Sequence, residues 1–454
     1  SITTSWNYDS AGRMVRETAP DGAFDSTVYD PAGNPVLWRT RRGLVTTASY
    51  DALNRIQDIK EYKQTESLGE TDTGLKQIYV YDRFGNRTVD NTNSNFPGVF
   101  NSGFKVDQTT NRLKAITDSN ADASTDLMRY DAVGNQYKDN YTGAGTRTYD
   151  ANNKLVSATA TGGGTVNYTY NANGSRITKT VGSTTTWYIY GVGGELVAEY
   201  PANGAASTPQ IEYGYRNGEL LLEGGCDVVQ WRVTDHLGST RMSVGVSGAL
   251  STVKRTDYLP FGEQLGAGHG PRTAAQGYAA DCWRQKFTGY ERDAETGLDY
   301  AQARMYANVQ GRFSSTDPLI STGSPFYPQS WNRYSYGANN PLMVTDPTGM
   351  FIFGSNVSEK NQQLIIDAWV GLNQALNEYD MDSKEYKEIK RTIEALGRPG
   401  VDNGVTVSMG ETVPGGGSAR VLDNGRHILE LSESAVAGNR ESLSGLLGHE
   451  ASHV

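Results

Sequence analysis

Short stretches of alternating apolar and polar residues, each closing on a tyrosine, recur along the first two thirds of the chain and predict many short β-strands. Tyr8-Asp9 is followed by Gly12-Arg13, Tyr29-Asp30 by Gly33-Asn34, and Tyr50-Asp51 by Asn54-Arg55. The spacing returns at Tyr81-Asp82 with Gly85-Asn86-Arg87, at Tyr130-Asp131 with Gly134-Asn135, at Tyr149-Asp150 with Asn152-Asn153-Lys154, and at Tyr170-Asn171 with Gly174-Ser175-Arg176. Tyrosine-to-tyrosine steps are 21, 21, 31, 49, 19 and 21 residues, the longest being divided by a degenerate copy, Val106-Asp107 with Asn111-Arg112-Leu113.

One unit can be read physically. A strand ends in Tyr, Asp caps a turn through its side-chain oxygen, and Gly or Asn supplies the positive φ that reverses the chain. Each unit is therefore a β-hairpin. A lone hairpin is marginal in water, so the units are expected to stack edge to edge into a continuous sheet with a ladder of tyrosines on one face.

After Gly349 the pattern changes period, which marks a domain boundary. Ile365, Trp369, Leu372, Leu376 and Tyr379 recur at helical steps, as do Tyr386, Ile389, Ile393 and Leu396 before Gly397 and Pro399. Val405 to Met409 reads as a strand, and Ala419 to Leu422 and His427 to Leu431 flank Asp423-Asn424-Gly425 as a hairpin.

Composition narrows the class. The 454 residues exceed one ordinary core, and 52 glycines and 27 tyrosines with only 37% hydrophobic residues favour strands and turns over a helix bundle. A net charge of −10 disfavours nucleic acid or an anionic membrane as the main partner. No apolar run reaches the ~18 residues of a membrane span. Cys226 and Cys282 form no metal motif and leave room for one bridge. The chain opens at Ser1 without methionine and stops at Val454, so both ends are expected to be cut from something larger.

The Y-D-x-x-G-N/R units resemble the YD repeats of RHS proteins, of the C components of insecticidal toxin complexes and of the teneurin shell, over roughly residues 1–349. The segment from Trp231 resembles the RHS-associated core. It reads Asp235-His236-Leu237-Gly238-Ser239-Thr240-Arg241, Tyr258-Leu259-Pro260-Phe261-Gly262, Phe287-Thr288-Gly289-Tyr290-Glu291-Arg292-Asp293, Arg304-Met305-Tyr306, Gly311-Arg312-Phe313, Asp317-Pro318 and Asp346-Pro347-Thr348-Gly349.

The resemblance implies a mainly β fold in which hairpins spiral into a hollow shell (1–230), a core that plugs it (231–350), and a small α+β effector domain (351–454). It also implies a toxin secreted or delivered to a target cell, of bacterial origin, whose partners are its own C-terminal cargo, a delivery apparatus and an immunity protein.

In such relatives the core cleaves the chain just after the last D-P-x-G through paired aspartates. Two carboxylates sharing one proton can act as acid and base, as peptide hydrolysis by an aspartyl dyad requires. Asp317 and Asp346 occupy the matching positions here, with Arg292 and Asp293 expected nearby and the scissile bond at Met350-Phe351. The first motif lacks the glycine, and 29 residues separate the two aspartates, longer than the family's usual spacing.

The chain closes on Gly448-His449-Glu450-Ala451-Ser452-His453-Val454, with Leu443, Leu446, Leu447, Ala451 and Val454 as an apolar helical stripe. His449 and His453, one helical turn apart, can reach one metal ion, and Glu450 between them can take a proton from a water molecule. The segment resembles the active-site helix of a zincin metallopeptidase, which implies a Zn2+ cofactor. It follows a hairpin strand read as a substrate-binding edge. A third zinc ligand is not in this chain, and His427 reads as a strand residue. The competing function class is a YD-shell surface protein for adhesion or carbohydrate binding without enzymatic activity, which has no use for H-E-x-x-H.

Overall fold

The computed structural model describes residues 3–64, 70–96, 103–119, 123–317 apart from 144, 173, 217 and 227, and 328–349. Past 349 it describes 352–354, 357, 405–409, 417–421 and 427–432, with scattered positions between 361 and 390.

The Tyr-Asp units fold as their chemistry dictates. Asp51 Oδ1 accepts the main-chain N–H of Leu53 (2.9 Å) and of Arg55 (3.0 Å), Oδ2 takes the Arg55 guanidinium (2.7 Å), and Asn54 reverses the chain at φ +60°. The same closure recurs at Asp9, Asp30, Asp82, Asp131 and Asp150. Other turns without the Tyr-Asp pair, among them Gly191 to Glu195 and Asp235 to Ser239, share the main-chain part of this closure.

The tyrosine ladder is a hydrogen-bond ladder. Five tyrosine hydroxyls, among others, donate to the carbonyl of the residue that follows the previous turn: Tyr50 to Pro35 (3.0 Å), Tyr81 to Ile56 (2.7 Å), Tyr149 to Gln136 (3.0 Å), Tyr170 to Leu155 (2.7 Å) and Tyr190 to Arg176 (2.9 Å). The hydroxyl continues the pairing of adjacent strands at the point where the backbone ladder stops. Phenylalanine would supply the same area but no donor.

Eight strands from Ser5–Tyr8 to Arg87–Val89 pair antiparallel in chain order, and thirteen from Met128–Tyr130 to Lys254–Arg255 do the same. The expected single continuous sheet is thus two meanders. They part at the longest tyrosine step, where inserted residues leave Phe104–Asp107 and Arg112–Ala115 as a separate hairpin. The second meander also runs past Trp231 into the segment read as core. Along Thr165–Tyr170, Val166 and Tyr168 are buried while Thr165, Asn167 and Thr169 face solvent, the period-2 pattern of a half-buried sheet.

The segment after Tyr258 packs an aromatic cluster of Phe287, Tyr290, Tyr306, Phe313 and Tyr336 and lies along the column of hairpin turns. Asn340 donates to Asn34 Oδ1 (2.7 Å), Asn339 to the Gly85 carbonyl (2.9 Å), Arg312 to the Asn111 carbonyl (2.8 Å), and Tyr334 Oη to the Gly134 carbonyl (2.7 Å). A Cβ on Gly134 would lie 2.6 Å from Thr316 Cγ2 and 2.7 Å from Tyr334 Oη, so the turn glycine also admits the core.

A concavity of about 2680 Å³ lies against the first meander, walled in part by Arg42, Glu61, Arg241, Asp257 and Arg272. Asp257 takes Arg241 (2.6 Å), Arg272 (2.7 Å) and Arg42 (3.1 Å), and Arg272 also grips Glu61 (2.6 Å). Burial would raise the Asp257 carboxyl, but the three arginines bring it down to about 2. Cys282 is disulfide-bonded.

The boundary expected at 350 is crossed by a sheet. Val344–Thr345 pairs antiparallel with Phe353–Gly354, which meets Val405–Met409 in parallel, followed in space by His427–Leu431 and Gly417–Val421. Helical residues between 361 and 390 supply the crossover that parallel strands need. His427–Leu431 has neighbours on both sides, so the strand read as the substrate-binding edge is interior. Parallel pairing with Val405–Met409 puts it there and leaves Gly417–Val421 as the edge among the described residues.

Candidate functional site

Asp317 and Asp346, 29 residues apart in sequence, are both buried and both face one guanidinium. Arg304 lies 3.9 Å from Asp317 Oδ2 through Nη1 and 3.4 Å from Asp346 Oδ2 through Nη2. Its Nε donates to the Gly349 carbonyl (2.7 Å) and its Nη1 to the Arg333 carbonyl (3.2 Å). The side chain lies over the Phe313 ring, 3.6 Å from its centroid. Arg304 stands on the strand Arg304–Ala307, every residue of which is buried.

Secondary structure fixes each partner. The Asp317 main chain pairs with Arg333, its N–H reaching the Arg333 carbonyl (3.0 Å) while the Arg333 guanidinium returns to the Asp317 carbonyl. Asp346 opens a turn closed by Gly349 N–H on the Asp346 carbonyl (3.2 Å), and the Ala303 N–H holds the Thr348 carbonyl (3.0 Å). Gly349 sits at φ +67°, and a Cβ there would approach the Ala301 carbonyl to 2.7 Å. The turn therefore passes under the strand only with glycine.

The other expected site residues go elsewhere. Arg292 pairs with Asp299, Nη2 to Oδ2 at 3.0 Å, and reaches the Gly262 carbonyl. Asp293 faces the hairpin strands, bonded to Arg176 (2.7 Å) and Lys179 (3.3 Å). Neighbouring motif residues alternate across the strand Glu291–Asp293, so adjacency in sequence did not bring them to the aspartate pair. Pro318, Met350, Phe351, His449, Glu450 and His453 lie outside the described residues. His236 Nε2 lies 3.2 Å from the Leu342 carbonyl, a structural contact at a hairpin turn. The residue missed by sequence reasoning is Arg304, which stands in a core motif but shows its role only where both aspartates meet it.

Asp293 belongs to a buried ionic seam between the second meander and the core. Arg176 also meets Glu291 (2.7 Å), Arg284 meets Glu291 (3.2 Å) and Glu199, and Lys286 meets Asp281. Beside it, burial and then the charge on Glu291 push the Glu223 carboxyl up to about 8, against Lys286 and Arg232. The folded chain thus keeps this proton where the unfolded chain has lost it. Stability from this group is full below the ordinary glutamate range, about 4.5, and falls as pH rises to about 8. At about 1.4 kcal/mol per unit the loss amounts to a few kcal/mol. Denaturant midpoints should therefore fall between pH 5 and pH 8.5 by more in the parent chain than in Glu223→Gln; equal falls would exclude Glu223 as the cause.

Comparison with known proteins bears on the whole arrangement. No protein-family profile matches the chain. Over 353 residues, 76% of its length, the chain is 28% identical to the tRNA3(Ser)-specific nuclease WapA of Bacillus spizizenii, of which the match spans 12%. A stretch of 67 residues is 40% identical to the toxin protein Tse5 of Pseudomonas aeruginosa, 5% of that protein. The fold is similar to that of a chain in the TcdB2-TccC3 crystal structure, with a TM-score of 0.53 at 20% identity over 76% of this chain and 18% of that one.

Proposed function

We propose that this chain is the cargo-bearing part of an RHS-type toxin, secreted or delivered to a target cell, in which the core cuts the chain at Met350-Phe351 and so frees the segment beyond. The observation that carries this reading is Arg304, which holds Asp317, Asp346 and the Gly349 carbonyl together in a buried site at the end of the core.

In this scheme one aspartate, as carboxylate, takes a proton from a water molecule whose oxygen adds to the Met350 carbonyl carbon. The other, as carboxylic acid, protonates the nitrogen of Phe351 as the C–N bond breaks. The two products carry a new carboxyl and a new amine. Arg304 compensates the charge of the pair and fixes the chain just before the cut, since it holds Gly349. Intact mass of the purified protein should show two pieces meeting at Met350-Phe351, and Asp346→Asn should give one uncut chain. An uncut parent protein, or a cut Asp346→Asn variant, would remove the reading.

The freed segment is proposed to be a metallopeptidase. Nuclease activity is in the name of the WapA relative, whereas this chain carries His449, Glu450 and His453 in H-E-x-x-H order. Gly417–Val421, the edge strand among the described residues, runs antiparallel beside His427–Leu431, the strand that precedes the motif, and an extended peptide could add to it as one more strand. Two imidazoles one helical turn apart suit zinc, with the third ligand supplied from outside these residues. Zinc, when bound, polarises a water molecule. His449 and His453 would hold the ion, and Glu450 would take a proton from a water molecule. A delivery apparatus and an immunity protein are the partners this reading calls for.

A further inference from the structure

We propose that Tyr290 is a positioning residue for the self-cleavage, acting through the main chain of Asp346; the proposal rests on the aspartate-pair reading above. The Tyr290 hydroxyl donates to the Asp346 carbonyl, the same oxygen that accepts the Gly349 N–H and closes the turn. Beside it in the cluster, the Tyr336 hydroxyl donates to Thr288 Oγ1 (3.5 Å). The peptide plane that follows Asp346 is thus held by a phenol of the aromatic cluster.

That phenol cannot swing away. Tyr290 is buried, with the rings of Tyr306 and Tyr336 at 5.9 and 6.4 Å, and Tyr306 and Tyr336 lie 4.8 Å apart. Arg304 holds the Asp346 carboxylate and the Gly349 carbonyl, whereas Tyr290 holds the Asp346 backbone. The carboxylate and the segment leading to the cut are therefore aligned by two independent sets of contacts. Without the Tyr290 donor, the Asp346 peptide plane is free to rotate, and a misplacement of about 1 Å can cost on the order of 10²-fold in rate.

The test is a time course of intact mass on the full chain made by cell-free synthesis, comparing parent, Tyr290→Phe and Asp346→Asn. Tyr290→Phe should cut about 10–100-fold more slowly, and its cuts should spread to bonds beside Met350-Phe351. A merely structural role would lower melting temperature without moving the cut, so stability is compared in an Asp346→Asn background, where Tyr290→Phe should melt within a few degrees of its reference. Parent rate and a single cut in Tyr290→Phe, with Asp346→Asn uncut, would overturn the proposal and leave the aspartate reading standing. Cleavage of Asp346→Asn would overturn both. If Tyr290→Phe does not fold, 4-fluorophenylalanine introduced at position 290 in the same synthesis keeps the ring's shape and lacks the donor, and an unchanged rate and cut there would overturn the proposal.

Discussion

Replacing Arg176 with alanine should lower the stability of the folded chain by about 3–5 kcal/mol, among the largest effects open to one substitution. The guanidinium is fully buried between the rings of Tyr168, Tyr188 and Tyr300, 5.4, 4.8 and 4.4 Å from their centroids. It meets Asp293 and Glu291 at 2.7 Å each. Burial alone would raise the Asp293 carboxyl, and Arg176 with Lys179 holds it below the usual range. Without Arg176 two carboxylates stay out of water, with Lys179 (3.3 Å from Asp293) and Arg284 (3.2 Å from Glu291) as the cations still paired to them among the described residues. The seam joining the second meander to the core should then loosen first. Thermal unfolding should come about 10 °C lower, and adding Asp293→Asn should restore part of the loss. A shift within 2 °C would show that the seam contributes little.

On the metallopeptidase reading, Glu450→Gln in the full-length protein should keep its zinc and lose about 10²–10⁴-fold in peptide hydrolysis, because glutamine cannot accept the proton of the attacking water. His449→Ala and His453→Ala should lose metal and activity together. Metal analysis and a peptide-cleavage assay separate the two effects. Absence of zinc in the parent protein, or full toxicity of Glu450→Gln in a target cell, would remove this reading while leaving the core chemistry untouched.

Much of the fold was legible in the chain because a hairpin is a local object. Tyr, Asp and Gly or Asn at fixed offsets specify strand end, turn cap and positive φ within six residues, and Asp51, Asn54 and Arg55 do what their side chains require wherever the unit sits. The strands Val405–Met409 and His427–Leu431 were likewise readable from pattern. Turns lacking the Tyr-Asp pair, such as Gly191 to Glu195, were missed because their closure uses backbone conformation more than side-chain identity.

What the sequence determined by itself was therefore the repeating unit, the aspartates of the core and the H-E-x-x-H order. The tertiary structure alone decided which charged residues meet. Arg304 and Asp317 are 13 positions apart and Asp346 lies 29 further on, yet one guanidinium serves both aspartates. Arg292 and Asp293 adjoin in sequence but point to opposite sides of a strand, toward Asp299 and Arg176. The reason is physical: a turn is closed by groups a few bonds apart, whereas a buried charge takes whatever partner long-range packing brings within reach, and spacing along the chain does not encode that distance.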